Sequence, residues 1–107
     1  MIRVLWSEPA VDQLAQIRQA SLRLRVYQAV GGLVRFPRRG RAPPEVVTHP
    51  DLQLPADLRE IVFPRILRVF YRYDERNGTV HVLGIAFRGQ DVGADWLVQL
   101  KGLTENR

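Results

Sequence analysis

The chain has 107 residues, 46% of them hydrophobic and 25% charged, which suits one globular domain and leaves no room for two. It has no cysteine, so disulfides, thiolate metal sites and thiol nucleophiles are excluded. The net charge is +5, and 15 of the 16 basic residues are arginine, whose planar fork suits phosphate and carboxylate oxygens.

An anionic partner is therefore expected, either nucleic acid or an acidic protein. The bland alternative is a GC-rich genome that favours arginine codons. The apolar run Met1–Trp6 is too short for a signal peptide. No stretch approaches the roughly 20 apolar residues of a membrane span. A cytoplasmic protein without membrane contact is the expectation.

Residues 2–6 carry β-formers and predict a first strand. Ser7 is placed to cap a helix, with Glu8 and Pro9 in its first turn. Ala10, Val11, Leu14, Ala15 and Ile17 then recur at helical spacing, predicting a helix to about Gln19. Ser21 is placed to cap a second helix, whose inner face is Leu22, Val26, Ala29, Val30, Leu33 and Val34. Pro37 and Gly40 end it. Gly31-Gly32 inside a helix is unfavourable by about 1 kcal/mol each, and close packing of another element is the expected reason. The two helices should form an antiparallel hairpin.

Residues 37–57 hold five prolines together with Arg38, Arg39 and Arg41. They predict a long loop, with a short strand at Glu45–Thr48. Leu58–Phe63 and Ile66–Tyr73 read as strands joined at Pro64-Arg65. Asn77-Gly78 marks a hairpin turn, and Thr79–Phe87 follows as the last strand. Ala94–Leu103 predicts a terminal helix with Trp96, Leu97 and Leu100 inward. The expected fold is α+β: an N-terminal strand and a helix hairpin on a mostly antiparallel sheet, in the order β-α-α-β-β-β.

The strand at 66–73 is the most informative segment. Side chains alternate, so Leu67, Val69, Tyr71 and Tyr73 share one face, and Ile66, Arg68, Phe70 and Arg72 the other. A helix hairpin covers one face only. The first set makes the better core, which predicts an open face carrying Arg68, Phe70 and Arg72. Arg59, Arg65 and Arg88 are placed to join them. Guanidinium groups around an exposed ring suit phosphate contact and base stacking. The alternative is a solvated face, with arginines paired to Glu60, Asp74 or Asp91.

The element order and several short motifs resemble the RelE/ParE superfamily of toxins from type II toxin–antitoxin pairs. The matching residues are Val4-Leu5-Trp6-Ser7-Glu8-Pro9-Ala10, Leu14, Leu33, Phe36-Pro37 with Gly40, Leu58-Arg59 or Arg59-Glu60-Ile61, Arg68-Val69-Phe70-Tyr71-Arg72 and the strand 80–85. The resemblance implies a cognate antitoxin, acidic and encoded alongside; no cofactor is expected, and two separated histidines with no cysteine argue against a metal centre. It implies one of two activities. RelE-like members resemble ribosome-dependent mRNA endonucleases, for which Arg59, Arg68 and Arg88 would be the catalytic cations. ParE-like members resemble inhibitors of DNA gyrase, which need a binding surface and an exposed C-terminal region but no acid–base residues. Under either activity, Arg65, Arg68, Phe70, Arg72 and Arg88 are the expected nucleic-acid- or target-binding residues.

The chain departs from both patterns. The tyrosine of the RelE type falls near Ala94. Phe87 and Gly89-Gln90 stand where ParE-like chains often carry histidine and arginine. His49 lies in the long loop. His81 is read as structural, on the face of Leu83 and Ile85. With no acid or base in view, gyrase inhibition is the favoured expectation. Ribosome-dependent mRNA cleavage is the alternative, and a non-toxic nucleic-acid-binding or antitoxin-binding module is a third.

Overall fold

The computed structural model describes residues 1–90 and 92–105, so Asp91, named above as an arginine partner, lies outside the described residues. Strand β1 (Arg3–Trp6) leads into helix α1 (Glu8–Ala15). The Ser7 hydroxyl accepts from the Ala10 amide at 3.1 Å and donates to the Leu83 carbonyl at 2.8 Å. One side chain thus caps the helix and ties it to the last strand. Helix α1 stops at Ala15, four residues short of the expected end. Ile17, 4% exposed, turns into the core there, and Arg23 closes the linker by donating to its carbonyl at 2.7 Å.

Helix α2 (Ala20–Gly31) starts without a side-chain cap, so Ser21 lies inside its first turn. A 3-10 turn (Gly32–Val34) completes it. A side-chain carbon at Gly31 would meet nothing within 4 Å, and one at Gly32 only Arg39 Nη1 at 3.9 Å. Close packing of another element is therefore not the reason for this glycine pair.

Strands β2 (Leu58–Phe63), β3 (Leu67–Asp74) and β4 (Thr79–Phe87) form an antiparallel meander. Strand β1 joins β4 in parallel, giving the order β1-β4-β3-β2. The turn at Asp74–Gly78 is held by its own side chains: Asn77 donates to both Asp74 oxygens, and Gly78 takes φ of 60°.

One sheet face packs against α1, α2 and their linker through Ala10, Ile17, Val26, Val30, Leu33, Val69, Tyr71, Val80, Val82 and Ile85. The other face is also covered, contrary to the expectation from alternation. Helix α4 (Ala94–Glu105) and the end of the long loop bury Leu54, Leu58, Phe70, Leu83, Ala86, Leu97 and Leu100 in a second core. Trp96 tilts over Phe70 with ring centres 5.2 Å apart. The protein is a three-layer sandwich.

The Glu45–Thr48 segment is a short helix, α3, and not a strand. Val46, Val47 and Thr48 favour strands, but Pro43 and Pro44 preset helical φ, and their carbonyls accept from the next turn's amides at 3.0–3.2 Å. A β-bulge interrupts β4. Phe70 faces Gly84 while Tyr71 faces Val82, leaving Leu83 extra. The side-chain carbonyl of Gln13 accepts from the Ile85 amide at 2.6 Å and so repairs the ladder.

Candidate target-binding surface

The expected row of arginines is divided between two places. Arg65, Arg68 and Arg88 line one groove of about 270 Å³, bounded by the β2–β3 turn and the end of β4. Arg59 and Arg72 line a second cleft of about 450 Å³ at the opposite end of the strands, together with Arg38, Asp57, Tyr73, Asp74, Glu75 and His81. Arg68 and Arg72 share a face, yet four strand residues separate them by about 13 Å.

Arg68 is tied down by carboxylates. Its Nη1 and Nη2 donate to the two oxygens of Glu45 at 2.9 and 2.6 Å, and its Nε donates to Glu60 at 2.5 Å. Glu60 is 1% exposed and also accepts from Arg41 at 2.8 Å. The Arg68 guanidinium lies 4.7 Å from the centre of the Phe70 ring. The hydrogen bond to Glu45 raises the Arg68 pKa against the opposing effect of burial, and Glu60 adds to it. Burial raises the Glu45 carboxyl, but the Arg68 fork outweighs it and holds that pKa below its ordinary value. The central-strand arginine is thus the clamp that fastens the long loop to the sheet.

The other expected residues fall out as follows. Phe70 is 0% exposed, so the stacking role expected of it is corrected: it is a core residue beneath α4. Arg72 is paired with Asp57 through two hydrogen bonds of 2.9 and 2.8 Å. Arg59 lies opposite Tyr71 and so on the helix-hairpin face, away from Arg68. It donates to the carbonyls of Arg38 and Gly40 at 3.1 and 2.7 Å.

Arg65 and Arg88 are exposed. Arg65 holds φ of 67° in a turn where Pro64 precedes it and the Ile66 amide bonds back to Phe63 at 2.9 Å. That position ordinarily takes glycine. A non-glycine side chain is strained in left-handed backbone there. Next to it, the Arg88 amide donates to the Ile66 carbonyl at 2.9 Å, which fixes both arginines on one rim.

His81 is 8% exposed and stands opposite Arg72. The bulge separates Leu83, in the α4 core, from Ile85, in the hairpin core, so His81 does not share a face with Ile85. Simple alternation misses this, because one extra residue reverses every later side chain. Glu60 was expected only as an arginine partner on a solvated face, and it is buried between two arginines; Glu45 was missed. The signal for Glu60 was an acid flanked by strand formers, opposite an arginine-bearing strand. Glu45 gave no signal within its loop.

The sequence pattern of one family, ParE toxin of type II toxin–antitoxin system (parDE), matches residues 4–92. The chain belongs to the ParE toxin family. It is accordingly a toxin of a type II toxin–antitoxin system, within the RelE/ParE superfamily. No curated protein matches its sequence. Among solved structures, this ParE-family chain is similar to the toxin–antitoxin complex RelBE2 from Mycobacterium tuberculosis, at 22% identity. That match covers 81% of this chain and 98% of the other, with a TM-score of 0.62. It is similar to the isolated RelE toxin of E. coli at 11% identity over 100% of both chains, with a TM-score of 0.63. The intact E. coli RelBE complex aligns at 13% identity, 85% of this chain and 100% of the other, with a TM-score of 0.60. At these identities the likeness is one of fold. Among the described residues no helix is long and apolar enough to cross a membrane.

Proposed function

We propose that this toxin arrests growth by binding DNA gyrase, with Arg65 and Arg88 on the contact surface. The observation that carries this reading is the make-up of the groove they line. Its described lining residues include Arg65, Arg68 and Arg88 but no carboxyl, imidazole or phenol group. Cleavage of RNA through its 2′-hydroxyl needs an acid and a base beside the cations. A groove holding guanidinium groups, the Gln90 amide and apolar side chains is fitted to bind and not to catalyse. A cognate antitoxin, acidic and encoded next door, belongs to this reading, because the solved relatives include toxin–antitoxin complexes.

Controlled induction with pulse-labelling tests it. DNA synthesis is expected to fall first while translation continues, and the purified protein is expected to inhibit gyrase supercoiling. Arg88→Ala should weaken that inhibition at least tenfold. An immediate fall in protein synthesis, with supercoiling untouched, overturns the reading. Unchanged growth would instead indicate a non-toxic module.

The second reading is ribosome-dependent mRNA cleavage. It is favoured by the other cleft, which places His81 and Tyr73 beside Arg59 and Arg72. There an imidazole and two cations share one site, as RNA cleavage requires. Loss of mRNA cleavage in His81→Gln with folding retained would move the activity to that cleft.

A further inference from the structure

The segment Arg35–Arg41 reaches the second cleft through Arg38 and is otherwise outside both sites, and it is a closely built turn. The Tyr71 side chain rises from the core and its hydroxyl binds the turn twice. It donates to the Pro37 carbonyl at 2.9 Å and accepts from the Gly40 amide at 2.8 Å. Arg59 holds the carbonyls of Arg38 and Gly40 from the edge strand. Arg41 and Glu60 exchange two backbone hydrogen bonds of 3.0 and 2.8 Å, so the turn is stitched to β2. A side-chain carbon at Gly40 would sit 2.6 Å from the Glu60 carbonyl and 2.7 Å from the Tyr71 hydroxyl. Only glycine fits there.

What this scaffold displays is nearly all arginine. Arg35, Arg38, Arg39 and Arg41 are exposed, and so is Phe36, at 64%. Arg38 is paired with Glu75 and Arg41 with Glu60. Arg35 and Arg39 make no ion pair among the described residues. Arg35 lies 5.9 Å from the Phe36 ring centre, and Arg39 extends to within 3.9 Å of the space a side chain at Gly32 would fill. A fixed backbone that carries guanidinium groups beside one exposed ring is suited to meet successive phosphates of a strand.

We propose that the Arg35–Arg41 turn binds the phosphodiester backbone of nucleic acid, and that its target is the DNA that gyrase holds. The choice of DNA rests on the gyrase reading; the phosphodiester contact does not. Phosphate recognition by an arginine fork suits the pinned geometry, because a preorganised turn loses little freedom on binding. An acidic peptide would want an apolar slot for its anchoring side chains, and the turn offers one exposed ring instead.

The test uses the full-length toxin and two labelled probes of equal length, a DNA duplex and a single-stranded RNA, titrated over a salt series without gyrase. The protein is expected to bind the duplex, with affinity falling steeply as salt rises. In the double variant Arg35→Ala with Arg39→Ala, affinity should drop about tenfold or more at low salt. The slope of log affinity against log salt should flatten by about 1.8, or 0.9 for each phosphate that the variant no longer neutralises. Arg35→Lys with Arg39→Lys should keep most of the slope, because the charge is kept. Circular dichroism and melting should match the parent, since neither side chain supports the core.

Unchanged affinity and slope in the alanine variant overturn the proposal, as does poly-glutamate competing as well as DNA. Preference for the RNA probe overturns the assignment to DNA. DNA binding without gyrase inhibition leaves the surface standing and removes the gyrase reading. Gyrase inhibition with no binding to either probe does the reverse.

Discussion

Arg68 illustrates how a residue marked for function by its position is committed to structure by its partners. Glu60 is buried, and it depends on Arg68 and Arg41 for compensation. Arg68→Ala would leave that carboxylate with one half-solvated partner and release Glu45 as well. Breaking a buried ion pair from one side costs about 3 kcal/mol. We expect that loss for Arg68→Ala in denaturant unfolding, so reduced toxicity in this variant would not identify a target-binding residue. Arg88 is exposed, and Arg88→Ala should lie within about 0.5 kcal/mol of the parent. Under the proposed gyrase reading, a loss of inhibition in this variant would then report on the surface and not on folding. Arg65→Gly separates the two roles in another way. Removing the side chain from left-handed backbone should stabilise the fold by about 1 kcal/mol while weakening target binding. A lower melting temperature would show that the turn does not hold that strain.

At the scale of elements, the sequence located all four strands and three of the four helices. Their apolar periods matched their secondary structure, and Ser7, Asn77-Gly78 and Pro37 punctuated them. Leu67, Val69 and Tyr71 were correctly placed on the core face. What alternation could not show was the covering of the opposite face. Phe70, Leu83 and Leu97 meet only in three dimensions, and the loop that helps cover them holds polar residues and prolines. Helix α3 was illegible for a related reason, since its stability comes from two prolines and a distant arginine.

That dependence gives α3 a pH response. Burial raises the Glu45 carboxyl, and the Arg68 hydrogen bonds more than offset it, so the folded pKa lies below the ordinary 4.5. The ion pair therefore contributes fully above 4.5 and is lost as the pH falls through the lower folded value. Melting temperature measured down through the carboxylate range should fall in the parent. Glu45→Gln should melt lower at neutral pH, by the equivalent of about 1–2 kcal/mol, and show a shallower acid decline. Parallel curves would place the acid sensitivity elsewhere.

At the scale of the molecule, the basic surplus seen in the composition is not spread evenly in its effect. Arg41, Arg68 and Arg72 are committed to Glu45, Glu60 and Asp57, inside the protein's own framework. Among the exposed arginines with no ion pair among the described residues, Arg65 with Arg88 and Arg35 with Arg39 stand close together in sequence or space on two rims, while Arg3, Arg18, Arg25 and Arg76 lie elsewhere. Charge counting raised the expectation of an anionic partner, and the placement of the acids shows which arginines the fold itself takes up.

The parallel pairing of β1 with β4 sets the order in which this toxin can come into being. Arg3 to Trp6 find their partners at Thr79 to Val82, and the Ser7 hydroxyl reaches the Leu83 carbonyl across 76 positions of sequence. A nascent chain therefore carries its first strand unpaired through most of its own synthesis. Pairings this remote also slow folding, because a long loop must close before they form. The sheet is completed only when β4 has emerged, and until then the cell making this protein holds an unfinished weapon.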